Sequence, residues 1–259
     1  KNERENLESK WNDIKVVIEY GMLTEDKFYD KAESFNLYPT VDDKYFTYEE
    51  LEKKIKKLQT DKDGNLIILY AQNKDEQYTY IESEKEKGYE VLLLDSPIIP
   101  HLMQKLESKK EKIKFSRVDS DTLENLIKKD EEVISKLTDE EKEKLKPMIE
   151  TAVENEKYTV QLEALDSNSM PFMLAQPEFM RRMKEMQQTG GGAMGNLPDM
   201  YSLIVNTNHE LVGKILNTRT EKKRNSLIKQ SIDLAKLSQN NLKGKDLTEF
   251  INRSIDLIK

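Results

Sequence analysis

Between Ser169 and Asp199 the chain reads SMPFMLAQPEFMRRMKEMQQTGGGAMGNLPD. Seven of the ten methionines lie from Met170 to Met200, with Phe172 and Phe179 among them. The chemistry these side chains offer is apolar contact. Methionine is flexible and polarizable, which suits a surface that accepts many partners. Pro177 and Glu178 predict a helix start, because proline fits the first turn and an acid there favours the helix dipole. Phe179, Met180, Met183 and Met186 then recur at i, i+1, i+4 and i+7, one helical stripe. Arg181, Arg182, Lys184 and Glu185 are expected to cover the rest of the helix surface. Gly190, Gly191, Gly192 and Gly195 predict its end and a flexible segment. A methionine stripe equally fits a helix buried in a core. The short length and glycine-rich flank argue for a mobile amphipathic helix that offers an adaptable apolar surface.

Other chemistry finds little support. The two histidines, His101 and His209, have no HxxxH or HxxE partner, so a zinc site is unsupported. No GxSxG elbow or GxxxxGK[ST] occurs, no glycine fingerprint follows either predicted strand, and the GxGxxG spelled by Gly190–Gly195 follows a predicted helix instead, which leaves catalytic residues, metal ligands and nucleotide contacts unassigned. With 49 acids, carboxylate pairs arise by chance. The absence of cysteine excludes disulfides, thiolate metal sites and a cysteine nucleophile. A net charge of −7 gives no general case for nucleic acid. No apolar run approaches the roughly 18 residues of a membrane span, and no secretory signal opens the chain, so a cytoplasmic protein is expected. Lys1-Asn2-Glu3-Arg4 begins inside a helical pattern without an initiator methionine, as a segment of a longer protein would.

These features must be carried by two domains, expected over 1–118 and 119–259. The first opens helical: Leu7, Trp11, Ile14, Val17 and Ile18 share a spacing, and Phe28, Ala32 and Phe35 continue it. Trp11, the only tryptophan, reads as a core anchor. Thr47 to Glu50 forms a capping box ahead of Leu51, Ile55 and Leu58. Leu66–Tyr70 is a continuous apolar run and Tyr89–Leu94 reads as a second buried strand, the two separated by a polar helical stretch from about Lys74 to Lys87. That order predicts a parallel βαβ unit. A helix from Ile98 to Leu106 and a third strand over Ile113–Val118 follow.

The second domain opens charged and helical, with a capping box at Thr138–Glu141 and Leu123, Leu126, Ile127, Val133, Ile134 and Leu137 on its apolar side. Tyr158–Leu162 and Met200–Val205 predict two paired strands flanking the methionine-rich excursion. Asn206–His209 is a turn, with helix resuming through Val212, Ile215 and Leu216. Two amphipathic helices end the chain. Leu227, Ile228, Ile232, Leu234 and Ala235 stripe the first; Leu247, Phe250, Ile251, Ile255 and Ile258 stripe the second. An isolated pair is marginal in water. It either folds onto its own domain or meets the same pair of a second chain in a four-helix bundle. The expected class is therefore α/β and α+β: a small αβα subdomain with a short parallel sheet, then a C-terminal domain with a short antiparallel sheet and a helical dimerisation bundle. A small α/β hydrolase or nucleotide-using domain, or a structural dimeric scaffold with the methionine helix buried, are the rival readings.

Several stretches, in order along the chain, resemble the ninety-kilodalton heat-shock chaperone family in its bacterial HtpG form. Tyr45-Phe46-Thr47-Tyr48-Glu49-Glu50-Leu51 is similar to a YFTLEEY-like segment. Gly88–Leu93 with Asp95 and Pro97 resembles GYEVLxxxDPI. Met170-Pro171 with Glu178–Met183 resembles the motif just before the family's mobile C-terminal helix, and Asn206-Thr207-Asn208-His209 its NPDH turn, with Thr207 and Asn208 in place of Pro and Asp. The resemblance implies the end of a middle domain (1–118) and a dimerisation domain (119–259). It implies that the ATP- and Mg-binding N-terminal domain is absent, so this chain should bind neither and hydrolyse nothing. It implies client contacts at Phe179, Met180, Met183 and Met186, and at His101 and Gln104, with His101 where the family has an aromatic. It implies homodimerisation through Leu227, Ile228, Ile232, Ala235, Leu247, Phe250, Ile251, Ile255 and Ile258. Expected partners are non-native proteins and a second copy. Co-chaperones that read an acidic MEEVD tail are not expected, since the chain ends Asp256-Leu257-Ile258-Lys259.

Overall fold

A computed structural model describes residues 3–127, 133–153, 157–190 and 200–258. The chain divides into two compact units, 1–130 with 178–196, and 131–177 with 197–259.

The first unit begins with α1 (Arg4–Thr24) and α2 (Asp26–Ala32). Trp11, Met22, Tyr29 and Ala32 face its interior. A short antiparallel pair follows, β1 (Tyr38–Pro39) with β2 (Tyr45–Phe46), which the helical spacing of this region did not signal. Thr47 then caps α3 (Tyr48–Ile55): Glu50 N–H donates to Thr47 Oγ1 at 3.4 Å and Thr47 N–H donates to Glu50 Oε2 at 2.8 Å.

The parallel sheet has the order β4-β3-β5, from β3 (Leu66–Ala71), β4 (Val91–Leu93) and β5 (Ile113–Arg117). Every residue of β3 is buried. Leu66, Ile68 and Tyr70 enter one core with α1, α3 and α5 (Ile99–Lys109), while Ile67, Leu69 and Ala71 enter the other with Ile81 and Leu126. A strand covered on both faces has no polar side to show, which is why the run is continuous. Between β3 and β4, α4 spans Tyr78–Glu86 and starts later than the composition suggested. The reason is local: Asn73 Oδ1 accepts from the N–H groups of Asp75 and Glu76, and Gln77 Oε1 accepts from those of Gln72 and Asn73. These side chains stabilise a turn that competes with helix. After β5 comes a single turn of helix, α6 (Leu123–Leu126).

The second unit opens with α7 (Asp139–Glu150), whose Thr138–Glu141 capping box is present. Val133 and Ile134, expected on an apolar side, are exposed ahead of that helix. Its sheet has the order β6-β8-β7. β6 (Tyr158–Glu163) pairs with β8 (Tyr201–Asn206), as expected, but in parallel. The antiparallel partner is β7 (Phe172–Ala175), a strand hidden within the methionine-rich stretch. The chain reverses once more between β7 and β8 through α8 (Glu178–Gly190), so two direction changes restore the parallel sense.

The turn at Asn206–His209 ties unit two together. Asn208 donates from Nδ2 to the carbonyls of Ile134 and Leu165, both at 3.0 Å, and accepts from Lys136 N–H. Asn206 donates to Asp166 O, and His209 Nδ1 accepts from Leu211 N–H to cap α9 (Glu210–Asn217). Two long helices finish the chain, α10 (Glu221–Ser238) and α11 (Gly244–Ile258). Gly244, at φ +57°, supplies the break between them. No helix of the described residues is long and apolar enough to cross a membrane.

Candidate functional site

Helix α8 belongs to the first unit, where its polar side is the docked one. Arg181 is only 3% exposed, whereas Phe179 is 70% exposed. Glu178 sits in the first turn, where a carboxylate is favoured by the helix dipole. It accepts from Tyr70 OH at 2.7 Å, from Arg117 N–H at 3.2 Å and from Arg182 Nε at 2.7 Å. Arg181 bridges Glu178 and Glu185, each at 2.6 Å, donates to Tyr70 OH, and lies over the Tyr70 ring. Arg182 reaches Glu107 of α5 at 2.8 Å and the carbonyl of Phe115 at 2.6 Å. Arg117 adds Asp119 at 2.5 Å and Gln72 at 2.8 Å.

The electrostatics follow from this arrangement. Burial alone would raise the Glu178 carboxyl, but Arg181 and Arg182 outweigh it and hold it below the usual carboxylate range. Burial would likewise weaken the charge of Arg181, yet Glu178, Tyr70 and Glu185 raise it above the ordinary guanidinium value. Burial, with Glu178 beside it, pushes the Tyr70 phenol up and keeps it protonated. Paired buried charges of this kind fix geometry more than they add stability.

Arg181 and Arg182, read from sequence as surface cover, are thus the anchor. The apolar stripe is left outward: Phe179 is exposed, and Met180, Met183 and Met186 are half-buried. None of the four belongs to a buried core. The glycines from 191 to 195 lie outside the described residues. His101 is half-buried and Gln104 exposed, both off the inner side of α5 formed by Ile99, Leu102, Met103 and Leu106. Glu107 of α5 bonds Arg182 of α8, and sequence reasoning missed it along with Tyr70 and Arg117. No local signal marks these three, because their partners lie 61 to 111 residues away.

In the second unit, Ile228, Ile232 and Ala235 pack into their own core with Phe172, Leu174, Leu203 and Val205. Phe250 is buried, and Leu227 and Leu247 are half-buried. Ile251, Ile255 and Ile258 are exposed, as are Leu234 and Leu237. The two helices are joined by Arg253 donating to Asp233, which is 1% exposed, and by Gln230 Nε2 donating to Ser254 Oγ at 2.9 Å.

No protein-family model matches the chain. Among curated proteins it is 38% identical over 327 residues to the chaperone protein HtpG of Bacteroides thetaiotaomicron, covering 100% of this chain and 48% of that one. The HtpG of Bacteroides fragilis strain 638R is 37% identical over the same shares. That of Porphyromonas gingivalis is 40% identical over 251 residues, covering 95% of this chain and 37% of the other. The chain spans about half the length, or less, of the curated relatives it matches, in their C-terminal part. Taken with the mixed α/β architecture, these similarities run the length of the chain, and it belongs to the HtpG chaperone family.

Proposed function

We propose that this chain is the client-binding and dimerising part of an HtpG-type chaperone. The observation that carries the reading is the inverted docking of α8, with Arg181 buried and Phe179 open to solvent. An amphipathic helix normally buries its apolar stripe. Here an ionic anchor holds the polar side, leaving Phe179, Met180, Met183 and Met186 for non-native polypeptide. Covering Phe179 and what remains exposed of the three half-buried methionines contributes roughly 3 to 6 kcal/mol before the costs of ordering and association. The net is far smaller, which suits a client that must be released. His101 and Gln104 serve as secondary contacts.

A second copy joins through the outer stripe of α10 and α11, where Ile251, Ile255, Ile258, Leu234 and Leu237 are exposed. Leu227, Leu247 and Phe250 border that stripe. Ile228, Ile232 and Ala235 support it from within the protomer core. The chain acts in the cytoplasm and needs neither ATP nor Mg to hold a client; nucleotide hydrolysis belongs to segments of the longer relatives outside it.

The test replaces Phe179, Met183 and Met186 together by serine and titrates reduced, carboxymethylated α-lactalbumin as the non-native client. Affinity is expected to fall at least about tenfold, since losing only about 1.4 kcal/mol of the contact made by the three side chains is already a factor of ten, while sedimentation equilibrium is unchanged. Equal client affinity in the triple variant contradicts the reading.

A further inference from the structure

Strand β5 is an edge of its sheet, since the order is β4-β3-β5. Its inner groups face β3: Leu66 N–H donates to Lys112 O at 2.7 Å, and Val118 N–H donates to Tyr70 O at 3.0 Å. A parallel ladder engages alternate residues, so Ile113, Phe115 and Arg117 turn their main-chain groups outward. An edge of this kind is a template for pairing with another chain, and charged side chains are a common device against it.

Here side chains close the edge. Phe115 N–H donates to Glu107 Oε1 at 2.7 Å, and Phe115 O accepts from Arg182 at 2.6 Å. Two residues on, Arg117 N–H donates to Glu178 at 3.2 Å. Glu107 and Arg182 are themselves paired at 2.8 Å. Together they offer Phe115 one acceptor and one donor, which is what a residue of a neighbouring strand would offer. A cleft of about 590 Å3 is lined by Glu107, Phe115, Glu178, Phe179 and Arg182, so there is space beside the edge at this point.

We infer that the outer edge of β5 is a strand-addition site for an extended segment of non-native polypeptide, with Glu107 and Arg182 as its gate. The segment displaces the pair at Phe115, and its main chain supplies the N–H and C=O that the two side chains now imitate. Main-chain bonds give such a site affinity without requiring a sequence, which suits a surface that meets many polypeptides. A helical segment cannot serve, because its main-chain groups are bonded within it. Arg181 keeps Tyr70 and Glu185 throughout, so α8 stays docked. Phe179, on the cleft wall, then meets side chains of the same segment. The inference rests on the client-binding reading above and adds to it the conformation in which a client is held.

The test uses the full chain and a fluorescein-labelled octapeptide that alternates threonine and valine, residues that favour extended chain. A second version carries N-methyl groups on its two central nitrogens, one on each edge, which removes main-chain donors and keeps every side chain. Glu107→Ala and Arg182→Met, each checked by circular dichroism, take away the imitated acceptor and donor from two different helices. Fluorescence anisotropy is expected to show each variant binding the plain peptide about tenfold more tightly than the unaltered chain, because the uncapped group of Phe115 regains its bond from the peptide. The methylated peptide should show no such gain. No gain in either variant, or an equal gain for the methylated peptide, overturns the inference. If the plain peptide gains nothing while the α8 triple variant still loses α-lactalbumin, only strand addition falls. If the peptide gains as expected but the triple variant keeps α-lactalbumin, the stripe reading falls and strand addition stands.

Discussion

Replacing Arg181 by methionine should release α8 without unfolding the unit that holds it. The guanidinium is buried, bridges Glu178 and Glu185 at 2.6 Å each, and donates to Tyr70. Methionine fills similar volume but leaves Glu178 with a buried charge and one fewer cation. Removing one partner of a buried pair costs about 3 to 5 kcal/mol. Glu178 keeps Arg182 and the Tyr70 hydroxyl, so the lower figure, about 3 kcal/mol, applies. Because each ~1.4 kcal/mol is a factor of ten, local opening of α8 should become more than a hundredfold more frequent. Hydrogen exchange followed by mass spectrometry reads this directly: fragments covering 178–187 should exchange faster by that factor, while fragments of β3 keep their protection. Arg181→Lys should fall between, since a point charge replaces only part of the fork. Unchanged exchange in α8 would refute the anchor. Equal acceleration in β3 and α8 would show that Arg181 supports the whole unit instead. Client affinity should drop in step with opening, because a released helix must be ordered again on binding.

Other consequences concern the remaining buried charges. Burial pushes the Glu19 carboxyl up to about 7, with Ser96 and Lys15 pulling it back and Asp95 adding to the rise. A raised value in the folded state favours the protonated form, so the stabilisation is complete below about 4.5, its ordinary value, and is lost as pH climbs through about 7. Against Glu19→Gln, chemical denaturation of this unit should show a loss on the order of 3 kcal/mol across that window and a plateau above it; parallel profiles would exclude the carboxyl as the cause. Asp233→Asn removes the charge that Arg253 pairs with and should loosen α11 by roughly 1.5–3 kcal/mol, seen as faster exchange over 244–258 with α10 preserved. Thr138→Ala should lower the stability of the second unit by about 1 kcal/mol, read from its urea midpoint, because the hydroxyl that accepts from Glu141 N–H is lost.

The parallel sheet was legible because β3 is apolar at every position, a pattern that only burial on both faces produces. Thr47 and Thr138 announced their helices because capping is chemistry between residues three apart. The methionine stripe was legible for the same local reason. What could not be read was the choice of face. Periodicity locates the stripe of α8 but is silent on which side docks; the decision lies with Tyr70, Glu107 and Phe115, each more than 60 residues away. β7 escaped notice because four residues inside a methionine-rich run look like the approach to a helix. The parallel sense of β6 and β8 likewise depends on β7 lying between them in sequence. His101 and Gln104 were placed by resemblance, whereas Glu107 on the same helix, which bonds Arg182 of α8, carried no signal.

The central claim is that the outward stripe of α8 is where non-native polypeptide binds. A photo-crosslinking amino acid at position 179 tests it most directly, with a second version carrying the same group at exposed Lys53 of α3. Illumination with reduced, carboxymethylated α-lactalbumin should yield adducts from position 179 alone, and native α-lactalbumin should yield few from either. Equal capture from both positions, or none from 179 while the client still binds, would contradict the claim and place the client elsewhere on the chain.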